Sequence, residues 1–153
     1  MKKFIYSMEN LLQVKRKLED QMKIAYGNAR VRLTKEEEKL EQLEYKKSIY
    51  EAELRALRLN RLDLLNIRFC EQAIDVMKMN IKQQTIAVKN AAHRLEIARI
   101  RLHDAVVEKK TQERLREKAF EEYLREFDAE ERKEIDELNS FQYSNLALSE
   151  EDS

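Results

Sequence analysis

Residues 67–105 read IRFCEQAIDVMKMNIKQQTIAVKNAAHRLEIARIRLHDA and place apolar side chains alternately three and four residues apart. This spacing puts the side chains on one face of an α-helix, and a strict repeat of this length is a strong signal of a coiled coil. Eleven of the twelve positions are apolar, so the helix is predicted to pack lengthwise against a partner helix. These positions form the second seam: Ile67, Cys70, Ile74, Met77, Ile81, Gln84, Val88, Ala91, Leu95, Ala98, Leu102 and Ala105.

The partner helix is predicted upstream, where the same spacing recurs. Thirteen of sixteen positions are apolar, with one 4-4 step through Ala29 and Leu33 that locally relaxes a coiled coil. Gly27 costs about 1 kcal/mol inside a helix. The spacing passes through it in phase, so we expect a continuous helix over about residues 3–58, with a break at Gly27-Asn28 as the lesser alternative. These positions form the first seam: Phe4, Met8, Leu11, Lys15, Leu18, Met22, Ala25, Ala29, Leu33, Glu36, Leu40, Leu43, Lys47, Tyr50, Leu54 and Leu57.

A turn is predicted between the seams, in RLNRLD at residues 58–63. Asn60 suits a helix cap and the reversal of the chain, and Asp63 favours the first turn of the next helix. With the turn at about residues 59–62, the second helix, about 63–139, folds back and places Phe4 near residue 117. The sequence thus predicts an all-α fold: a two-helix antiparallel coiled-coil hairpin over residues 1–141, with the second helix overhanging at its C-terminal end. A flexible acidic tail is expected at residues 142–153.

Composition excludes several classes of function. The chain has no proline and one glycine, which rules out a glycine-rich phosphate loop. Thirty basic and thirty acidic side chains cancel, removing a general drive toward nucleic acid. Two helices packed along one line enclose no ligand pocket, so we expect neither an enzyme nor a cofactor. His93 and His103 lie on different faces, which argues against a shared metal, and Cys70 is expected to be a buried thiol in a reducing cytosol. No membrane-spanning segment is expected.

The overhanging part of the second helix carries an apolar row without an evident partner. Residues 119–138 read AFEEYLREFDAEERKEIDEL, and the hairpin leaves no first-helix residue to cover their large apolar side chains. Two alternatives remain: Met1 to Ile5 cover part of the row, or two copies of the chain bury it mutually. Residues 117–153 also carry a net charge of −9, which can orient a partner. The row consists of Phe120, Leu124, Phe127, Ile135 and Leu138.

Both ends of this hairpin resemble one protein family. The opening FIYSMENLLQVKRKLEDQMKIAYGNA, residues 4–29, and the closing EERKEIDELNSF, residues 130–141, are similar to the FliJ family of flagellar export proteins. The resemblance covers residues 3 to about 141, and its closing motif falls on Arg132, Lys133, Ile135, Asp136, Glu137 and Leu138.

The resemblance implies a non-enzymatic cytoplasmic component of the flagellar type III export apparatus, associated peripherally with that apparatus at the inner membrane. Such proteins are coiled-coil stalks that bind the hexameric export ATPase and contact the export gate and substrate chaperones. On this resemblance the export gate would bind Ala73, Met77, Asn80 and Gln84, unless Met77 and Gln84 only belong to the seam. The ATPase would bind Phe4, Met8, Phe120, Leu124, Phe127, Lys133, Ile135, Asp136, Glu137 and Leu138.

Two other classes of protein compete with this interpretation. One is a structural coiled coil, either a spacer or a homodimer whose hairpins pair into a four-helix bundle. The other is an amphipathic binder of membrane surfaces, which is disfavoured because the polar faces mix both signs of charge.

Overall fold

The protein is built from two long α-helices. A computed structural model describes residues 3–59 and 63–151, and within these ranges α1 runs Glu9–Leu59 and α2 runs Leu64–Glu151, with no strand. The expected all-α two-helix hairpin is confirmed. The described residues form two compact units, to each of which both helices contribute: unit 1 comprises Met1–Lys17 and Val107–Ser153, and unit 2 comprises Leu18–Val106.

The seams predicted from spacing form the packed side of the helices. Every position of the second seam is buried or partly buried, and in the first seam only Met8 and Ala25 are exposed. In unit 2, Leu54, Cys70 and Ile74 form a core against which Tyr50, Leu57 and Ile67 pack.

Three of the four polar seam positions have partners across the helix pair, whereas Lys47 pairs with Glu51 of its own helix at 3.5 Å. In unit 2 the Gln84 amide nitrogen donates to the Glu36 carboxylate over 2.6 Å and to the Glu36 backbone carbonyl over 2.8 Å. The pKa of Glu36 lies below its ordinary value, chiefly because of this hydrogen bond from Gln84. In unit 1, Lys15 pairs with Glu108 at 2.7 Å. A partly buried polar pair such as Glu36 and Gln84 favours one register of the seam over its neighbours.

Gly27 does not interrupt α1. The helix continues through it, its φ is not positive, and a Cβ built at this position meets no atom within 4 Å. The expectation of a continuous helix is confirmed, and the alternative of a break at Gly27-Asn28 is wrong.

Asp63 caps the start of α2. Its side-chain oxygen accepts a hydrogen bond from the backbone N–H of Asn66 at 3.3 Å, and its carbonyl accepts the N–H of Ile67 at 3.0 Å. This is the geometry of an N-cap. Leu59 ends α1, but the other residues of the expected turn, including the proposed cap Asn60, lie outside the described residues.

Two helix boundaries differ from those expected. α1 begins at Glu9 rather than near residue 3. The segment before Glu9 is not helical, because it carries Phe4 into contact with aromatic rings of α2. α2 continues to Glu151, so the flexible tail expected at residues 142–153 is helical up to that residue. No glycine or proline interrupts α2, and leucine and alanine near residue 147 favour its continuation.

Candidate docking surfaces

An aromatic cluster ties the amino-terminal segment to α2 in unit 1. The ring of Phe4 meets Phe120 edge-on, with centroids 5.1 Å apart, and lies 5.3 Å from Tyr123. Tyr123 in turn lies 6.3 Å from Phe127, and the Arg116 guanidinium sits 5.7 Å from the Phe4 ring. Aromatic and cation–π contacts of this geometry each stabilise by about 0.5–1.5 kcal/mol. Phe4 lies before α1, so this contact fits the alternative in which the amino-terminal segment covers part of the row, and Phe120 keeps an exposed fraction of 42%.

Ion pairs anchor the beginning of α1 within the same unit. Glu9 accepts a hydrogen bond from Arg116 at 3.0 Å, and Arg16 lies 3.7 Å from Glu113. The pKa of Glu9 lies below its ordinary value, first because the Gln13 amide donates to its carboxylate and then because of Arg116. Leu12 beside these pairs is fully buried. The amino-terminal part of unit 1 is thus held by packing as well as by charge.

An open groove of about 880 Å³ lies beside the aromatic cluster. Phe4 and Tyr6 line one side, while Tyr123 lies on the other with three glutamates at four-residue spacing. The groove therefore brings aromatic side chains together with glutamates, and Lys3 also lines it. Its glutamates are Glu122, Glu126 and Glu130.

Beyond Phe127 the helix α2 has no cover. Every residue from 128 to 151 is exposed, including Ile135 and Leu138, whose exposed fractions are 55% and 62%. Leu124 is exposed to 44%. The same part of α2 exposes three charged residues of the closing family motif, Lys133, Asp136 and Glu137. The expected ATPase-binding residues therefore form two groups: a cluster packed around Phe4, and exposed residues farther along α2. Met8, before α1, is also exposed.

The residues expected to bind the gate do not share an exposed face. Met77 and Gln84 are partly buried on the seam, and Gln84 uses its amide on Glu36, which favours the seam interpretation for both residues. Ala73 and Asn80 are partly buried as well. This set is thus poorly placed for a partner.

A different row of α2 in unit 2 is exposed. Its members follow a 3-4 spacing and, at 100° per residue, lie on the side of the helix opposite the second seam. Their exposed fractions range from 55% to 81%. We call this set the outer row: Leu65, Phe69, Val76, Met79 and Ile86. The outer row is visible in the sequence as a second repeat of 3-4 spacing in the same helix. Glutamines at residues 72 and 83 occupy the two positions of this repeat that are not apolar.

Two observations concern metal binding and thiol chemistry among the described residues. Within residues 3–59 and 63–151, no group of three His, Cys, Asp or Glu side chains is placed to hold a metal ion. Burial is the main cause that raises the pKa of the Cys70 thiol, with a smaller contribution from Glu53. A raised pKa keeps the thiol protonated and unreactive.

No helix among the described residues is both long and apolar enough to cross a lipid bilayer.

Comparison with known proteins identifies a family. The family model described as Flagellar FliJ protein matches residues 4–147. No curated protein and no solved structure matches the chain.

Proposed function

Because the chain belongs to the flagellar FliJ protein family, and so to the proteins related to flagellar export, we propose that it binds the hexameric export ATPase and couples it to the export gate and to export chaperones. It acts as a coiled-coil stalk and catalyses no reaction itself. Its place is the cytoplasm, at the export apparatus on the inner membrane. The observation that carries the proposal is the uncovered stretch of α2 that follows the aromatic cluster in unit 1.

The uncovered stretch is suited to docking because it exposes large apolar side chains at helical spacing. Leu124, Ile135 and Leu138 are exposed, and each would contribute roughly 1.5–3 kcal/mol on full burial. Phe127 lies at the edge of the aromatic cluster, where its ring contacts Tyr123. The exposed apolar side chains therefore follow directly after residues that are packed. An amphipathic helix with such anchors is a common mode of protein recognition.

Charge supports a basic partner surface. The segment 117–153 has a net charge of −9, and Glu131 and Glu134 lie between the apolar anchors. Two copies pairing through this segment would bring like charges together, which opposes the homodimer alternative. The ATPase collar is therefore proposed to present basic side chains to this helix.

We propose the outer row, in place of Met77 and Gln84, for contact with the gate. Phe69, Val76 and Met79 are exposed at 63%, 55% and 65%. Ala73 and Asn80 lie between this row and the seam by helical geometry, where they border the same surface.

The ATPase assignment is tested with two double variants. Phe127→Ser/Leu138→Ser removes an anchor from the cluster and one from the exposed run, while Leu124→Ser/Leu138→Ser leaves the ring cluster unchanged. Both variants should keep their helicity in circular dichroism but weaken binding to the purified ATPase hexamer, and its stimulation, by tenfold or more, as loss of about 1.4 kcal/mol or more would produce.

The matched control is Ile24→Ser/Ile49→Ser, which removes two exposed apolar side chains of α1. It should bind and stimulate the hexamer as the parent does. If both row variants also do so, this stretch of α2 is not the docking surface for the ATPase.

A further inference from the structure

The segment before α1 lies against α2 in unit 1 and contacts it through an aromatic ring. Residues 3–7 are not helical, and we call them the amino-terminal strap. Phe4 of the strap meets Phe120 edge-on at 5.1 Å and lies 5.3 Å from Tyr123. Of the other strap residues, Tyr6 is partly buried and three are exposed: Lys3, Ile5 and Ser7. The Phe4 ring is therefore the side chain by which the strap grips the rings of α2.

The backbone of the strap lies beside an open space rather than flush against α2. The groove of about 880 Å³ is lined by residues 3–7 on one side and by a face of α2 that carries Glu122 and Glu126 on the other. The strap joins the next helix through the carbonyl of Tyr6, which accepts a hydrogen bond from the N–H of Glu9 at 3.2 Å. A short segment without helix or strand, next to an open groove, belongs to the parts of a structure that open locally at low free-energy cost.

The ring of Phe120, on which Phe4 packs, is the first member of the apolar row of α2. Phe120, Leu124 and Phe127 follow one another at four- and three-residue spacing, which places them on one side of the helix. Phe120 is 42% exposed beside Phe4, and Leu124 is 44% exposed. A partner that recognises this row through anchors at i, i+4 and i+7 needs the part of Phe120 that Phe4 covers.

Arg116 holds both the strap and the beginning of α1. Its guanidinium lies 5.7 Å from the centre of the Phe4 ring, and its Nε lies 3.0 Å from the carboxylate of Glu9. Loss of the Phe4 ring leaves the pair with Glu9 in place, and Leu12 stays buried beside it. The strap can therefore open without releasing α1 from α2.

We propose that the amino-terminal strap is an autoinhibitory cover of the row that docks the ATPase. In the closed form Phe4 occupies the surface of Phe120 and Tyr123 that the partner needs, and in the open form the row is uncovered from Phe120 to Leu138. The inference rests on the proposed function. It gives Phe4, which the family resemblance suggests as an ATPase contact, the opposite role. Because the partner binds the open form, the apparent Kd equals the intrinsic Kd divided by the open fraction.

Binding of the purified ATPase hexamer to the full chain and to two single variants tests the proposal. Phe4→Ala should bind about tenfold more tightly than the parent, because ring contacts of this kind hold the open fraction near about one tenth and their loss raises it toward one. Ile5→Ala is the matched control: its side chain is 84% exposed in the same strap, and it should bind like the parent. All three chains should show the same helicity in circular dichroism.

A measurement without the ATPase separates failure of this inference from failure of the proposed function. Nile red, a neutral dye that fluoresces on apolar surfaces, should give about twofold or more signal with isolated Phe4→Ala than with the parent or Ile5→Ala, because the row becomes a larger apolar patch. Phe4→Ala/Phe120→Ser should lose this gain, since it removes the side chain that the strap uncovers.

The outcomes decide between the alternatives. Weaker binding of Phe4→Ala to the hexamer would overturn the proposal, since Phe4 would then belong to the docking surface, and so would binding equal to that of the parent. If neither chain binds the hexamer but the dye signal rises, the proposed function fails while the strap remains the cover of the row. An unchanged dye signal overturns the strap whatever the hexamer does.

Discussion

Gln84 shows at the residue scale how one polar seam position makes stability depend on pH. Its amide donates to the carboxylate of Glu36, which is 5% exposed, and holds the pKa of that group below its ordinary value. A depressed carboxyl pKa stabilises the fold above the unfolded-state value, and this stabilisation is lost as pH falls through the folded-state value. We expect Gln84→Leu to raise the pKa of Glu36 and to destabilise the protein more at about pH 7 than at about pH 3.

Urea unfolding of parent and variant at the two pH values measures this difference. The change in packing volume is the same at both values, so the pH dependence isolates the hydrogen bond. Gln83→Leu, at the exposed neighbouring glutamine, is the control and should show no such dependence. A loss of stability in Gln84→Leu that does not vary with pH would contradict the role given to this hydrogen bond.

Gly27 is the weakest point of α1 at the scale of the helix. Glycine destabilises a helix interior by about 1 kcal/mol relative to alanine. Since nothing lies within 4 Å of a Cβ at this position, Gly27→Ala should raise the free energy of unfolding by about 0.5–1 kcal/mol. Thermal unfolding followed by circular dichroism measures the gain. The reverse change at an exposed alanine, Ala52→Gly, should cost a similar amount. A loss of stability in Gly27→Ala would contradict the open space around this position.

The sequence predicted the helices and their packed faces because a 3-4 repeat fixes which side of a helix is buried. It failed where packing involves a segment without a repeat: the non-helical stretch that carries Phe4 onto Phe120 has no periodicity to follow. The outer row was missed for another reason. Only one apolar stripe was assigned to each helix, whereas Phe69 and Met79 belong to a second stripe in α2. Family resemblance suggested Met77 and Gln84 as binding residues, with the seam as the alternative; both are partly buried on the seam, and Gln84 donates to Glu36.

The balance of charge over the whole molecule depends on the C-terminal segment. Residues 128–153 carry nine acidic and two basic side chains, so a chain ending at Phe127 has a net charge of +7 where the full chain has zero. We expect this truncation to be retained on heparin that the full chain passes at the same salt concentration. Its free energy of unfolding should change by less than about 0.5 kcal/mol, because the removed residues up to Glu151 are all exposed.

Heparin elution and urea unfolding of the two chains give both results. Equal retention of the full and shortened chains would show that the acidic segment does not offset the basic charge of the rest. A large loss of stability would show that residues 128–153 pack on the remainder.

The exposed part of α2, residues 128–151, also has a consequence for hydrogen exchange. A helical stretch without tertiary cover is only marginally stable in water, so its backbone amides should exchange with solvent far faster than those beside Leu54 or Ile74. A docked partner would hold these turns closed and slow their exchange. Deuterium uptake along α2 would then report occupancy and mark, turn by turn, how much of the helix the partner covers.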